Sequence, residues 1–355
     1  MAKLMGSILA VILLGPLTAM AGPVMYVPTG DANEVVIIDL NTDTIVGRID
    51  ELENAHGLAA SPNSEFLIAG SMQVVRTDEI TSLQAAKPGG MSEEEHKAHH
   101  ASDTVGTGQQ SYISIIHPVH GHVMRRITVQ GLTHHTAVSP DGNIAIAVHS
   151  QNGGISVIDL KSNSVIHVIK TGEAPNYAIF SSDGRYLYVS NAGNSAISEI
   201  DTRNWSIVRA ISTGKGPEHM EFSANGRNLY VANVFDGTAS EIDIKTGKIT
   251  KSYTVGKSPH GIALSGDGKE LFVSAKDDNQ LKRFDINTGA EKSMELVPEP
   301  YHVTYLEKPA KLYVSSRGAP KIWVIDPEKW LILSEINFDS GVAHQMVIVE
   351  GRSGD

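Results

Sequence analysis

The sequence predicts an all-β fold: a seven-bladed β-propeller, four antiparallel strands per blade, closed by N-terminal strands pairing with the C-terminal strand. Three observations predict it. A phrase made of a short strand, an Asp-Gly-like turn and a second strand recurs at steps of 42, 42, 42, 41 and 43 residues, the period of a four-stranded repeat. The last copy stops after its first strand. The N-terminal region holds three strand-like runs that lack a first strand of their own.

The elements follow in chain order. Lys3, an apolar run over residues 8–17 and the small residues Ala19 and Ala21 read as a secretory signal peptide spanning 1–21. The apolar run is too short to span a bilayer stably, so the expectation is a periplasmic or secreted protein with no membrane span after cleavage. The remainder, 22–355, is expected to be one propeller domain. Residues 24–28, 34–40 and 44–50 read as three strands of a blade whose first strand is the C-terminal run 344–349. The turns are Ser139-Pro140-Asp141-Gly142, Ser182-Asp183-Gly184, Ala224-Asn225-Gly226 and Gly266-Asp267-Gly268. Third strands end in Asp159, Asp201, Asp243, Asp285 and Asp326. The step between the first two phrases is 78 residues, which places an insertion at 72–109 between the second and third strands of the first blade. Its His96, His99 and His100 sit at helical spacing with Glu95. The segment reads as a lid or metal-loading arm, or as a solvated acidic loop.

Composition narrows the function. The 355 residues include no cysteine and 15 histidines, and the net charge is −11. The missing thiol excludes disulfides, thiolate zinc, iron–sulfur clusters and covalent c-type haem. The negative charge argues against nucleic acid as a partner.

The histidines are concentrated at one place. In a blade the first strand lines the central channel, so phrase starts converge on one mouth. The first positions are His56, His134, Asn176, Glu218, His260, Tyr301 and His344. The second are Gly57, His135, Tyr177, His219, Gly261, His302 and Gln345. Seven of these fourteen are histidine, where the chain's overall content predicts fewer than one. Imidazoles converging without thiolates suit copper or zinc. Glu218 is a candidate ligand, general base or orienting group. Lys276 and Arg317, at the ends of second strands on the same mouth, are candidates to hold an anionic substrate or a metal-bound oxyanion. His149 ends a second strand there too. His117, His120, His122 and His167 read as surface residues.

Tyr188-Val189-Ser190-Asn191 and Tyr230-Val231-Ala232-Asn233 resemble the YVTN-type propeller repeat across the mature chain, which implies fold more than function. The histidine set resembles that of the multicopper propeller enzymes, nitrous-oxide reductase and thiocyanate dehydrogenase. In nitrous-oxide reductase a His-His pair and five single histidines hold a copper–sulfide cluster, and here His134-His135 and His56, His219, His260, His302 and His344 match that count. This chain lacks the cysteine-built electron-entry domain of nitrous-oxide reductase, which makes thiocyanate dehydrogenase the nearer comparison. The resemblance implies a copper-dependent oxidoreductase acting on a small molecule, with a separate cytochrome or cupredoxin as redox partner. Two alternatives stand beside it: a non-catalytic copper carrier or haem-like ligand scaffold, of which the d1-haem propellers are a distant relative, and a metal-free interaction propeller.

Overall fold

The structure, a computed structural model, describes residues 22–75 and 109–350. The expected signal peptide, and all of the insertion except 72–75 and 109, lie outside the described residues. Within them, 28 strands form seven four-stranded antiparallel sheets, the architecture the repeat predicts. No helix among the described residues is long and apolar enough to cross a membrane.

The first blade comprises β4 (Ala55–Ala60), β5 (Leu67–Ser71), β6 (Gln110–His117) and β7 (His122–Gln130). The insertion leaves after β5 and returns at β6. The innermost strands of the next five blades are β8 (Thr136–Val138), β12 (Pro175–Phe180), β16 (Pro217–Phe222), β20 (Pro259–Leu264) and β24 (Pro300–Leu306). The seventh blade joins the chain ends. β28 (Val347–Val349) pairs antiparallel with β1 (Val24–Pro28), which is followed by β2 (Val35–Asp39) and β3 (Thr44–Ile49). β28 is shorter than the sequence suggests: His344 approaches it outside the ladder, its N–H bonding the Pro28 carbonyl at 3.0 Å.

The repeated residues have local causes. In the first turn of the second to fifth blades a serine hydroxyl bonds an Asp or Asn two residues on, as Ser139 bonds Asp141 at 2.5 Å and Ser265 bonds Asp267 at 2.7 Å. The following glycine, Gly142 for example, takes a left-handed φ of +74°, which a side chain would resist. In six of the seven blades the third strand ends in an Asp that accepts backbone N–H groups of the next turn, as Asp243 does from Thr246 at 2.7 Å. Strand residues alternate in period two, and because sheets are packed on both faces, both sets are apolar. Met25 and Val27 face the sixth blade while Val24 and Tyr26 face the first. Seven apolar clusters result, one at each blade–blade interface.

Candidate metal centre

The inner strands carry a shared irregularity that builds the site. In β4, β12, β16, β20 and β24 the ladder skips two residues at the phrase start, between Ala55 and Leu58, Pro175 and Ala178, Pro217 and Met220, Pro259 and Ile262, and Pro300 and Val303. Such a bulge re-aims side chains that strict alternation would send to opposite faces. It also releases a backbone N–H, which a serine on the second strand recovers: Tyr177 N–H bonds Ser190 Oγ at 3.0 Å, Gly261 bonds Ser274 at 2.8 Å and His302 bonds Ser315 at 3.1 Å. The serine of the Tyr-Val-Ser-Asn phrase therefore stabilises the bulge that presents the site.

All seven mouth histidines come together. His56 lies 3.8 Å from His344, 4.3 Å from His134 and 5.4 Å from His135 between ring centroids. His135 continues the chain of rings to His219 at 4.7 Å, which lies 4.6 Å from His260 and 4.7 Å from His302. Six of the seven are buried, with His134 partly so. Two triads, His56–His134–His135 and His135–His219–His302, have ligand nitrogens within 4.8 Å of one another.

Hydrogen bonds orient several rings. A carbonyl only accepts, so His56 donates its Nδ1–H to His134 O at 2.9 Å and His135 donates its own to Asn176 O at 2.8 Å. His134 Nδ1 lies 2.8 Å from His135 Nδ1 and shares that proton. These bonds leave the Nε2 lone pairs of His56 and His135 available. The Glu218 carboxylate accepts from His260 Nδ1 at 2.7 Å, the pairing that fixes a ligand imidazole's tautomer and raises its basicity. Tyr301 stacks on His260 at 3.9 Å with planes 11° apart, and Tyr177 on His219 at 4.7 Å.

Among the described residues, Nε2 of His135, His219 and His302 is buried without a hydrogen-bond partner. Each such orphan costs about 1–3 kcal/mol, and three facing one another are unfavourable unless a cation takes their lone pairs. Burial first, and neighbouring imidazoles second, hold His56, His135, His219 and His302 well below the ordinary histidine range. They are therefore neutral at pH 7, the form a metal requires. The residues fit a metal with an all-nitrogen donor set.

The other candidates fall differently. Glu218 joins the cluster through His260. Arg317 lies over the Tyr301 ring, 5.9 Å from its centroid. Lys276 is committed to Asp277, its Nζ 2.8 Å from the carboxylate.

Residues 161–265 match a family model described as a YNCE-like β-propeller. Solved structures extend the likeness to nearly the whole chain. Hydrazine synthase from Kuenenia stuttgartiensis aligns at 15% identity and TM-score 0.68, covering 91% of this chain and 99% of that one. The periplasmic gluconolactonase PpgL of Pseudomonas aeruginosa aligns at 18% and 0.70, covering 93% and 99%. A functionally unknown protein from Desulfotomaculum acetoxidans aligns at 13% and 0.69, covering 93% and 99%. The chain is a seven-bladed β-propeller. No curated protein matches it, and identities this low carry the fold alone.

Two residues of this propeller depart from the sequence reading. Glu221, two residues beyond His219 on β16, lines a cavity of about 230 Å³ together with His219, His302, Thr304, Tyr177 and Gln345. Burial pushes its carboxyl up to about 7. The sequence signal was available: at the same step of the phrase the other blades have Ala59, Ala137, Ile179, Ala263, Thr304 and Val347.

His149 turns into its own blade instead of joining the mouth. Its Nδ1 donates to Leu132 O at 3.1 Å and its Nε2 meets Ser156 Oγ at 2.8 Å. Asn191 and Asn233 bond Ser198 and Ser240 from the equivalent place. Burial lowers the His149 pKa from 6.5 to about 4. The unfolded chain therefore takes up this proton first, and the associated stability is present above pH 6.5 and lost as pH falls towards 4. About 2 kcal/mol of it should be gone by pH 5. Urea unfolding at pH 7.5 and 5 should show a smaller acid loss for His149→Asn than for the parent. The same loss in both would reject the assignment.

Proposed function

We propose that this propeller is an exported metal protein that holds copper at its histidine cluster and uses it for redox chemistry on a small molecule. The observation that supports this most is the convergence of three buried, unpartnered Nε2 atoms from His135, His219 and His302. An imidazole-only donor set suits copper or zinc, and of these only copper changes oxidation state. Bound there, copper would supply one-electron transfer and an open coordination position.

The chain's own groups prepare the site. Glu218 orients His260, Tyr177 and Tyr301 cover ring faces and exclude water, and the cavity beside His219 and His302 gives a small molecule access. Arg317 is the better candidate to guide an anionic substrate, because Asp277 neutralises Lys276. With no cysteine to build a thiolate copper relay, electrons would pass to or from a separate cytochrome or cupredoxin. One observation favours a second reading, a non-catalytic copper carrier: the rings are nearly closed off, with His135 0% and His302 3% exposed.

The experiment is electron paramagnetic resonance of the copper-loaded protein through a cycle of reduction and reoxidation, with azide as a small-ligand probe. A redox site predicts a Cu(II) signal that disappears and returns, and that azide alters. A carrier predicts a signal indifferent to azide and copper that passes to a chelator. Failure to retain copper would reject both.

A further inference from the structure

A tight turn at the outer edge of the first blade gathers three imidazoles that the central cluster does not use. His117 and His122 are the last cross-strand pair of β6 and β7, and His120 sits in the loop between them. Third strands run away from the histidine mouth, so this turn lies on the opposite face. The ring centroids are 4.4 Å apart for His117–His120, 5.9 Å for His117–His122 and 6.2 Å for His120–His122.

The turn is held rigidly. Gly121 N–H closes it onto the His117 carbonyl at 2.9 Å, and Gly121 takes a left-handed φ of +61°. His120 N–H donates to His117 Nδ1 at 3.3 Å. Pro118 is buried, and its carbonyl accepts the hydroxyl of Tyr26 from the seventh blade at 3.4 Å. The backbone is thus anchored between two blades while His120 and His122 stand exposed to solvent.

We propose that His117, His120 and His122 form a second metal site, a surface site for one divalent first-row ion such as zinc(II) or copper(II). Imidazole nitrogens bind such ions at about 2.0–2.1 Å, which puts ring centres of adjacent ligands about 4.5–5 Å apart. The His117–His120 distance of 4.4 Å is close to that range, and the two distances to His122, 5.9 Å and 6.2 Å, are longer, so His122 must swing inward to ligate. Two of the ring pairs are stacked and the third is tilted, with planes 16° to 42° apart, so ligation requires the side chains to rotate, His117 giving up the bond it accepts from His120 N–H; χ2 is a soft torsion for histidine. A preordered backbone removes much of the entropy that ligation would otherwise cost.

Zinc is the probe. The full chain would be titrated with Zn2+ by calorimetry and by amide NMR, in the parent, in His117→Ala/His122→Ala, in His120→Ala and in His219→Ala. The double variant should lose one equivalent of zinc, and His120→Ala should bind that equivalent at least tenfold more weakly. His219→Ala should retain it. Gly121 and Val123 amides should shift on zinc addition in the parent and in His219→Ala, but not in the double variant. These amides distinguish the turn from every other histidine in the chain. Unmoved Gly121 and Val123 amides at zinc saturation, or full stoichiometry in both turn variants, would overturn the proposal.

Discussion

Deleting residues 22–50 should abolish cooperative folding. The segment contains β1, β2 and β3, three of the four strands of the seventh blade. Met25, Val27, Val36 and Ile38 contribute to the interface with the sixth blade, and Tyr26, Val35, Ile37 and Ile49 to the interface with the first. All eight are buried. At about 1.5–3 kcal/mol per large apolar side chain, their loss removes on the order of 15 kcal/mol, which matches or exceeds the net stability of a typical domain. Polar ties are lost as well, including Lys311 Nζ to Asp43 at 2.6 Å and the Tyr313 hydroxyl to Asp43 at 2.7 Å. Two exposed apolar faces and unpaired sheet edges would also promote aggregation. Calorimetry and near-UV circular dichroism of the truncated chain would check this. A single sharp transition at the parent temperature would show that six blades stand alone.

A methyl group at Gly261 should cost about 3 kcal/mol, near the top of the range for overpacking. Gly261 occupies the second position of its phrase, where other blades place His135, His219 and His302. An added Cβ would lie 2.3 Å from Tyr301 O and 2.5 Å from Val303 N. Both are backbone atoms of the neighbouring inner strand, so the fifth and sixth blades must part. That displacement would move Tyr301 and His302 and weaken metal binding together with stability. Gly57 is similar, its Cβ falling 2.6 Å from His135 Cα. Glycine at these two positions lets the adjacent inner strands approach closely enough for their histidines to meet. The control is Gly268→Ala, a turn glycine at φ +67° with no atom within 4 Å of an added Cβ. It should cost only the local strain of about 1–2 kcal/mol. Equal urea midpoints for the two variants would contradict the packing account.

The blade count, the closure and the membership of the histidine cluster were legible because they depend on position along a repeat. A residue's place in the phrase assigns it to a face of the ring, and His56 and His344 meet although they stand at opposite ends of the chain. Side-chain direction was less legible. His149 sits at the mouth end of its strand, yet period-two alternation turns it into the sheet towards Ser156. The bulges that let consecutive residues such as Tyr301 and His302 both contact the cluster break that alternation, and only Ser190, Ser274 and Ser315 hint at them. The partner of His260, Glu218, comes from the equivalent position of the preceding blade, a contact made by ring geometry and not by local spacing. Lys276, a candidate to hold an anionic substrate or a metal-bound oxyanion, pairs with the very next residue, Asp277.

The most direct test of the central claim is copper retention by single-histidine variants. The parent, His219→Ala, His135→Ala and His167→Ala would be loaded with copper and dialysed against a weak chelator. Bound metal and melting temperature would then be measured for each. Removing one converging ligand breaks a shared geometry, so the effects should be sharp and should not add independently. The account predicts that the parent and His167→Ala retain copper and gain the same thermal stabilisation. His219→Ala and His135→Ala should bind at least tenfold more weakly and lose most of that gain. Equal copper content and equal stabilisation in all four proteins would contradict it.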